Sequence, residues 1–221
     1  MNSRFASLIV LAALLAGVLT TSKASAEASF PEAASEFSLS VGYANIDIGS
    51  SIIDNESALH MEGALMFSPL GEQLPQLRLG AAVGVSMILD NTSRTIISNN
   101  GAFVFRGSSE VPFWMIEPEL RLSWRQILGD HGQFFIEPGI AGGVAFGFLE
   151  LNSDDGSGDS FDANDSTVYG RVYLRAGAQV TGGIAGIEAS WLSGGRLDFD
   201  ADNAAGDLNE FYVGIFGAIL F

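Results

Sequence analysis

Apolar and polar residues alternate with a period of two along most of the chain from residue 36 to the end. In residues 114–125 the even-numbered positions are mostly apolar and the odd-numbered positions are mostly polar. Period-two alternation is typical of β-strands. Eight such segments occur, at residues 37–44, 58–67, 77–87, 114–125, 134–148, 168–175, 186–191 and 210–221. The sequence therefore predicts an all-β fold with eight antiparallel strands.

The apolar face of these strands points inward in a soluble lipocalin-like barrel or a sandwich, and outward in a membrane barrel. The second face consists mostly of Gly, Ala and Ser with scattered Glu and Arg, which suits the cramped interior of a narrow barrel. A water-facing surface would carry lysine, and the chain has a single lysine, Lys23. These features favour a transmembrane β-barrel.

Aromatic residues recur at both ends of the apolar stripes. Trp114 and Trp124 are ten residues apart, as are Phe211 and Phe221. Ten residues of a tilted strand climb roughly 25 Å, the height of the apolar band of an outer-membrane barrel. The alternative is a set of ordinary core aromatics. We predict two aromatic girdles, formed by Trp114, Trp124, Phe134, Phe146, Phe148, Trp191, Phe211 and Phe221.

The connections between the segments alternate in length. Short connections occur at residues 68–76, 128–132 and 181–183. Mostly long and polar connections occur at residues 47–56, 90–111, 150–166 and 194–207. Short periplasmic turns and longer external loops are typical of outer-membrane barrels, and an even strand count places both termini on the short-turn side. This pattern predicts an up-and-down barrel.

Together these features resemble the small eight-stranded outer-membrane β-barrels, such as the OmpA transmembrane domain and OmpX, over residues 36–221. The final run from Phe211 to Phe221 resembles their terminal strand, which implies that the barrel-insertion machinery recognises Phe221. The resemblance also implies an outer-membrane location in contact with lipid. We expect a monomer with no second domain after Phe221.

The first 26 residues have the features of a secretory signal peptide. Arg4 precedes an apolar run at residues 8–19, and Ala24-Ser25-Ala26 is a small-residue cleavage motif. A membrane-anchor helix would need a longer apolar run. We predict cleavage before Glu27, which leaves an N-terminal extension at residues 27–35 and the barrel domain at residues 36–221.

The chain is acidic and contains no cysteine. It has 221 residues, with 10 Lys+Arg against 26 Asp+Glu and a formal net charge of -16. Removal of residues 1–26 leaves eight arginines against the same acids, a charge of -18. This charge argues against nucleic-acid binding. Without disulfides, strand pairing and burial must hold the exported fold together.

The inner face carries charged residues in both signs. They are Glu62, Arg78, Glu117, Glu119, Arg121, Arg125, Glu137, Arg171, Arg175, Glu188 and Glu210. Side chains fill an eight-stranded barrel, and buried charges require partners, so we expect a network that closes the lumen. The alternative is a selectivity or gating network of a narrow pore. Turn lengths place Glu137 opposite or diagonal to Arg125.

The turn at Gly182-Gly183 sets a second predicted pairing. A two-residue hairpin there places Glu188 opposite Gly177 and diagonal to Arg175. Two prolines complicate the neighbouring strands: Pro118 and Pro138 each follow Ile-Glu inside a predicted strand. Because proline lacks the N–H that a strand ladder needs, we expect a β-bulge at these positions.

Two connections are rich in aspartate. The first contains Asp154, Asp155, Asp159, Asp162 and Asp165, and the second contains Asp198, Asp200, Asp202 and Asp207. The composition of the first predicts a flexible, solvated loop. Asp198-x-Asp200-x-Asp202 resembles the start of a calcium loop, although Asn203 and Asn209 replace the usual Gly and Glu. Calcium is therefore a weak candidate, and otherwise no cofactor is expected.

Enzymatic chemistry has few candidates in this chain. The histidines are His60 and His131, and His60 shares the inner face with Glu62. No motif places a serine beside them, so we expect His60 to be a buried, hydrogen-bonded residue and the protein not to be an enzyme. A lipid-modifying outer-membrane enzyme is the less favoured alternative. The favoured function is a structural or adhesin-like surface protein acting through its acidic loops, with a narrow porin-like pore as the competitor.

Overall fold

The computed structural model describes residues 35–50, 52–90, 92–97, 104–129, 133–153, 158–180, 183–200 and 203–221. The described strands are β1 (Glu36–Asp47), β2 (Glu56–Phe67), β3 (Leu77–Ile88), β4 (Arg94–Ile97), β5 (Val104–Ser108), β6 (Phe113–Trp124), β7 (Gln126–Leu128), β8 (Phe134–Ser153), β9 (Ser160–Val180), β10 (Gly183–Asp198) and β11 (Ala205–Leu220). A 3-10 turn at Gly71–Gln73 lies between β2 and β3. The predicted signal peptide, His131, Asp154, Asp155 and Asp202 lie outside the described residues.

Eight of the strands form a closed antiparallel ring. Each strand pairs with the next in the order β1, β2, β3, β6, β8, β9, β10 and β11. The ring closes between the first and last strands, where the pairing runs from Glu36 with Leu220 to Asp47 with Asn209. β7 follows β6 along β8, and β4 and β5 form a separate hairpin that contacts the ring through β8. The predicted eight-stranded up-and-down barrel is confirmed.

The apolar stripes lie on the outside of the ring. Leu39, Leu120 and Val168 are 60%, 72% and 71% exposed, whereas Glu36 and His60, on the opposite faces of their strands, are fully buried. Such exposure of many large apolar side chains in one band around the ring is unfavourable in water and suits a hydrocarbon environment. The outside of the ring is therefore the lipid-facing surface.

The strands continue beyond this lipid-facing surface at the end with the long connections. β8 and β9 have 20 and 21 residues, and they pair along their length to Asn152 with Ser160. The expected flexible loop at residues 150–166 is thus wrong for most of its length. The reason is that Phe161 and Ala163 alternate with the acidic residues and pack against the barrel interior. The alternation of apolar and polar residues continues here, but it covers fewer residues and includes more polar ones than the alternation in a membrane-spanning strand.

The polarity of the two barrel faces reverses in these extensions. Inside lies an apolar cluster that we call the outer core, made of Ile46, Ile48, Ile52, Ile53, Ile88, Ile96, Phe105, Phe113, Leu149, Leu151, Leu192, Leu197, Phe199 and Leu208. Outside lie polar residues such as Glu150, Asn152 and Asp162, which are exposed. We call this part of the barrel the protruding zone and the part with the apolar exterior the spanning zone.

A bulge occurs in β10 and none occurs at the prolines. Ile116 pairs with Phe146 and Glu119 with Gly143, so the offset between β6 and β8 is the same on both sides of Pro118. Pro138 pairs with Leu174 in regular register. The expected bulge is wrong because a missing N–H removes one ladder bond without requiring an extra residue. The register shift instead lies in β10 between Ser193 and Arg196.

Candidate functional site: the charged interior of the barrel

All eleven charged residues of the predicted network point into the lumen of the spanning zone and are at most 5% exposed. The strand alternation accounts for this placement, because successive side chains of each strand point to opposite faces. The structure adds a twelfth residue, Glu36, which is fully buried. Glu36 lies one position before Phe37, the first outward-facing apolar residue of β1. Because successive side chains of a strand point to opposite faces, the sequence already implied that Glu36 points inward. These residues fall into two groups along the barrel axis.

The first group lies near the short-turn end and consists of Glu36, Arg78, Arg125, Glu137 and Arg175; we call it the lower ion cluster. Glu36 is its hub, with carboxylate oxygens 2.5 Å from Arg125 Nη2, 2.8 Å from Arg175 Nη2 and 3.4 Å from Arg78 Nη2. Glu137 accepts hydrogen bonds from Arg125 Nε at 2.5 Å and from Ser123 Oγ at 2.7 Å. Three arginines thus share two glutamates.

Aromatic rings cover the guanidinium groups of the lower ion cluster. The Arg125 guanidinium lies 4.4 Å from the centroid of the Phe135 ring, and that of Arg175 lies 4.0 Å from the centroid of Phe216. Both rings belong to a small apolar cluster with Ile184 at the short-turn end. A cation over a ring face is attracted by the ring quadrupole, and the attraction grows when water is excluded. The rings therefore stabilise the cluster's excess of arginines and shield it from solvent.

The second group consists of Glu62, Glu117, Glu119, Arg121, Arg171 and Glu210; we call it the upper ion cluster. Arg121 binds Glu62 through Nη2 and donates from Nε to Glu119 at 2.5 Å. Arg171 binds Glu117 through Nη2 and donates from Nη1 to Glu62 at 3.1 Å. Four glutamates share two arginines here, the reverse of the lower ion cluster.

Glu188 connects the two ion clusters. Its carboxylate lies 3.5 Å from Arg121 Nη2 on one side and 3.5 Å from Arg175 Nε on the other. The expected pairing of Glu188 with Gly177 is wrong, because Glu188 pairs directly with Arg175. The strands meet at Val180 and Gly183, which makes residues 181 and 182 the connection and shifts the register by two. Arg125 and Glu137 are in contact, with Arg125 Nη2 2.5 Å from a Glu137 oxygen.

A histidine and a serine complete the upper end of this polar interior. His60 on β2 pairs with Ser86 on β3, and the His60 Nδ1 and Ser86 Oγ atoms are 2.7 Å apart. His60 is buried and hydrogen bonded, as the sequence predicts, although no sequence motif indicates the serine beside it. A β2–β3 register would have found Ser86, because both residues have inward parity. Gly84 makes room for the ring: a Cβ there would lie 3.0 Å from His60 Cε1.

Ser86 also contacts two carboxylates. Its Oγ is 2.8 Å from Glu117 Oε1 and 2.7 Å from Glu210 Oε2. The ring of Tyr212 lies 4.5 Å from the His60 ring, between centroids, and completes the wall of this site. Both the serine and the histidine are fully buried. This group lies directly below the outer core.

The predicted girdle residues lie on the outer surface. Trp124, Phe134 and Phe221 are exposed at the short-turn end, while Trp191 and Phe211 are exposed and paired with each other nearer the protruding zone. Trp114 stacks on Phe148 with ring centroids 4.0 Å apart, and Phe146 is exposed on the same strand as Phe148. Their role as membrane-interface girdles stays a prediction.

The aspartates of the second acidic connection make local hydrogen bonds. Asp198 Oδ1 accepts from the Asp200 N–H at 3.2 Å, and Asp165 Oδ2 accepts from the Asp198 N–H at 2.7 Å. Asn203 bridges to the edge of β4 through Ile97 N–H at 2.9 Å and the Thr95 carbonyl at 2.8 Å. These bonds attach β4 to the protruding zone. Calcium binding by Asp198, Asp200 and Asp202 stays a prediction.

Comparison with known proteins relates the chain to solved barrels by fold alone. No protein-family model matches the sequence, and no curated protein has a significantly similar sequence. Neisserial surface protein A aligns over 85% of this chain and 97% of its own, with a TM-score of 0.53 and 6% identity. Ail, the attachment invasion locus protein of Yersinia pestis, aligns over 85% and 99%, with a TM-score of 0.52 and 10% identity.

None of the residues that the structure describes forms a helix long and apolar enough to cross a bilayer. The closed ring, the apolar exterior and the two structural comparisons agree with one another. The chain therefore shares the fold of the small eight-stranded outer-membrane β-barrels.

Proposed function

We propose that this chain is an outer-membrane barrel with a closed lumen, whose protruding zone is a structural or binding surface. The observation that carries the proposal is the reversal of polarity between the two zones. An apolar exterior around charged residues suits lipid, and a polar exterior around an apolar core suits water. A protein built only to span the membrane has no need of the second arrangement. The protruding zone thus has the build of a rigid domain standing outside the bilayer.

The contents of the lumen support the closed state. From the short-turn end upward, the interior holds the apolar cluster of Phe135, Ile184 and Phe216, then the two ion clusters, then the outer core. An ion entering from outside would first have to cross the outer core, where hydration is lost. Opening a path through the ion clusters would also leave buried charges without partners, at about 3–5 kcal/mol for each broken pair.

Planar-bilayer recordings of the refolded mature chain test this closed state. We expect inserted protein that gives no discrete conductance, because the outer core and both ion clusters obstruct the path. Insertion is verified separately by protease protection of the barrel. Discrete openings that vanish when Arg121, Arg125 or Arg175 is replaced would favour the narrow pore instead.

The exposed side chains of the protruding zone indicate the chemistry of a partner. Acidic residues dominate its described surface: Asp54, Glu110, Glu150, Asp159, Asp162, Asp198, Asp200 and Asp207 are exposed. Clustered charge of one sign accelerates association with the opposite charge and is sensitive to salt. The partner that suits this surface is a basic protein outside the cell. The attachment protein of Yersinia pestis has the same fold, so such a barrel is compatible with binding at the cell surface.

A cationic probe tests the binding surface. We expect polylysine to bind the detergent-solubilised protein in low salt and to bind several-fold more weakly when Glu150, Asp159, Asp162 and Asp207 are changed to their amides. Glu72→Gln is the matched control, because Glu72 is an exposed acid at the short-turn end. Equal binding by the four-site variant and the control would contradict an acidic binding surface in the protruding zone.

The monomeric state also belongs to this proposal. Each ring strand pairs with a neighbour on both sides, so the ring needs no second chain to satisfy its edges. Enzymatic activity has a specific candidate group in His60 and Ser86, but both are fully buried beneath the outer core. We expect no lipid or peptide turnover by the wild-type protein. Turnover that is lost in His60→Ala would favour the enzyme alternative.

A further inference from the structure

His60, Glu117 and Glu210 converge on one point inside the barrel from three different strands. They lie on β2, β6 and β11, and each offers a possible metal-ligand atom within 4.8 Å of the others. The three residues are at most 1% exposed. Groups of this kind are expensive to bury unless they bind something, because each loses its hydration. These three buried polar groups therefore need binding partners inside the barrel.

The Ser86 hydroxyl cannot satisfy all three of its contacts while both carboxylates are ionised. The Ser86 hydroxyl carries one hydrogen but lies 2.7–2.8 Å from His60 Nδ1, Glu117 Oε1 and Glu210 Oε2. If the imidazole donates to the hydroxyl and the hydroxyl donates to one carboxylate, the other carboxylate contact has no hydrogen. Glu210 Oε1 and His60 Nε2 have no hydrogen-bond partner within the described part of the chain.

The atom separations fit a shared cation. His60 Nδ1 is 3.6 Å from Glu210 Oε1 and 3.9 Å from Glu117 Oε1, too far for hydrogen bonds. With metal–ligand bonds of about 2.1 Å, neighbouring ligands of a tetrahedral ion are roughly 3.4 Å apart. A small inward adjustment of these side chains would therefore bring them to bonding distance of one ion.

The charge of the interior points to the same conclusion. Among the described residues, the interior of the spanning zone holds seven glutamates and five arginines, an excess of two negative charges when every carboxyl is ionised and His60 is neutral, the form that binds a metal. Glu188 balances the one extra arginine of the lower ion cluster, so the excess resides in the upper ion cluster, which has four glutamates and two arginines. Arg171, which is already included in this count, binds the second oxygen of Glu117 and lies 3.5 Å from Glu210 Oε1. The upper ion cluster therefore keeps two negative charges that no arginine balances.

We propose that His60, Glu117 and Glu210 bind one divalent transition-metal ion inside the barrel, with the Ser86 hydroxyl orienting the ligands. One dication neutralises the excess and bridges β2, β6 and β11 across the lumen. An imidazole with two carboxylates suits Zn²⁺, Co²⁺ or Mn²⁺ better than Ca²⁺ or Mg²⁺, which prefer oxygen-only sites. The role is structural, and it is independent of the function proposed for the protruding zone.

Cobalt provides a visible probe of this site. The untagged chain, stripped of metal in denaturant, is refolded in detergent with Co²⁺, because a fully buried site is loaded most readily during folding. We expect one Co²⁺ per folded chain, with the visible absorption of imidazole and carboxylate ligation, and we expect that absorption to be lost when Zn²⁺ competes with Co²⁺ during refolding. Folded chain that retains no cobalt after dialysis would overturn the proposal.

Two near-isosteric variants locate the ion. Glu210→Gln and His60→Gln should each weaken Co²⁺ binding at least about tenfold, because loss of a ligand costs no less than loss of a supporting hydrogen bond. His131→Gln, which removes the other histidine, and Asp200→Asn should retain full binding. Equal retention by all four variants would show adventitious binding and overturn the site.

A measurement on the wild-type protein covers the case in which a variant does not fold. X-ray absorption at the zinc edge of the zinc-loaded protein should show a first shell of nitrogen and oxygen ligands together with the outer-shell scattering of one imidazole ring. Absence of the imidazole scattering would contradict ligation by His60.

Discussion

The spanning zone and the protruding zone are built from the same continuous strands, yet they place polar and apolar residues on opposite faces. Leu120 faces outward and Arg121 inward in the spanning zone, whereas Glu150 faces outward and Leu149 inward in the protruding zone. Antiparallel pairing continues through both zones apart from the bulge in β10, and the reversal of polarity suits a change of surroundings from lipid to water. A strand that continues from the spanning zone into the protruding zone keeps its β geometry, but its apolar residues move from the outer face to the inner face.

The comparison also separates two ways of filling a barrel. In the spanning zone, charged side chains fill a narrow lumen and are tolerated because each has partners of opposite sign. In the protruding zone, aromatic and aliphatic side chains pack as in a soluble protein, for example Phe113 edge-on to Phe199 with centroids 5.9 Å apart. The first depends on electrostatic pairing, and the second depends on the hydrophobic effect. Mutations should therefore act differently in the two zones.

The largest effect is expected from Arg171→Ala in the upper ion cluster. Arg171 lies within 3.5 Å of carboxylate oxygens of Glu62, Glu119 and Glu210 and also binds Glu117. Its loss leaves buried carboxylates without their cation and should lower the free energy of unfolding by about 3–5 kcal/mol. Urea unfolding in lipid vesicles measures the change. Arg196→Ala, at an exposed position in the protruding zone, should change stability by less than about 0.5 kcal/mol. Similar losses in both variants would erase the difference between the zones.

A smaller effect is expected from truncating the outer core. Leu149→Ala creates a cavity at a buried position and should cost about 2–5 kcal/mol. The same truncation at Leu120, which is 72% exposed on the apolar exterior, should cost less than about 1 kcal/mol, because detergent or lipid fills the space. The pair is measured by thermal or urea unfolding under identical conditions. If Leu120→Ala were the costlier change, the assignment of the two faces would be wrong.

Cysteine labelling sharpens the comparison with almost no effect on stability. The chain has no cysteine, so a single substitution is the only thiol present. Asp162→Cys in the protruding zone should react with a membrane-impermeant maleimide on intact cells. Glu72→Cys, at the exposed 3-10 turn of the short-turn end, should react after the outer membrane is permeabilised. The reverse order of reactivity would invert the proposed orientation.

The spanning zone was the predictable part of the fold. Its period-two pattern continues over many residues, so the parity of Leu120 and Arg121 followed from the neighbouring side chains alone. Glu36 was missed because it precedes the first apolar residue of its stripe. Pairings such as Glu188 with Arg175 and His60 with Ser86 depend on register, and an error of two residues in one turn leaves the parity intact while changing every partner.

The protruding zone was less predictable. Leu149 and Leu151 lie inside a stretch with acidic and glycine-rich residues, so the local composition indicated a loop while the alternation indicated a strand. The outcome depended on Phe161 and Ala163 packing into the outer core from β9, a contact between distant residues. The β4–β5 hairpin depends in the same way on Asn203, far along the chain. Composition alone does not reveal such contacts.

The pairing of β1 with β11 has a kinetic consequence. Because the first strand pairs with the last, the ring cannot close before the C-terminal strand is in place. Glu36, at the start of β1, reaches Arg125 and Arg175 across the lumen, so its burial belongs to the final stages of assembly. Contacts between such distant residues form slowly, because closing a long loop costs conformational entropy before the new contacts can stabilise the chain. Pairing of β11 with β1 is therefore expected to be the last step in closing the ring.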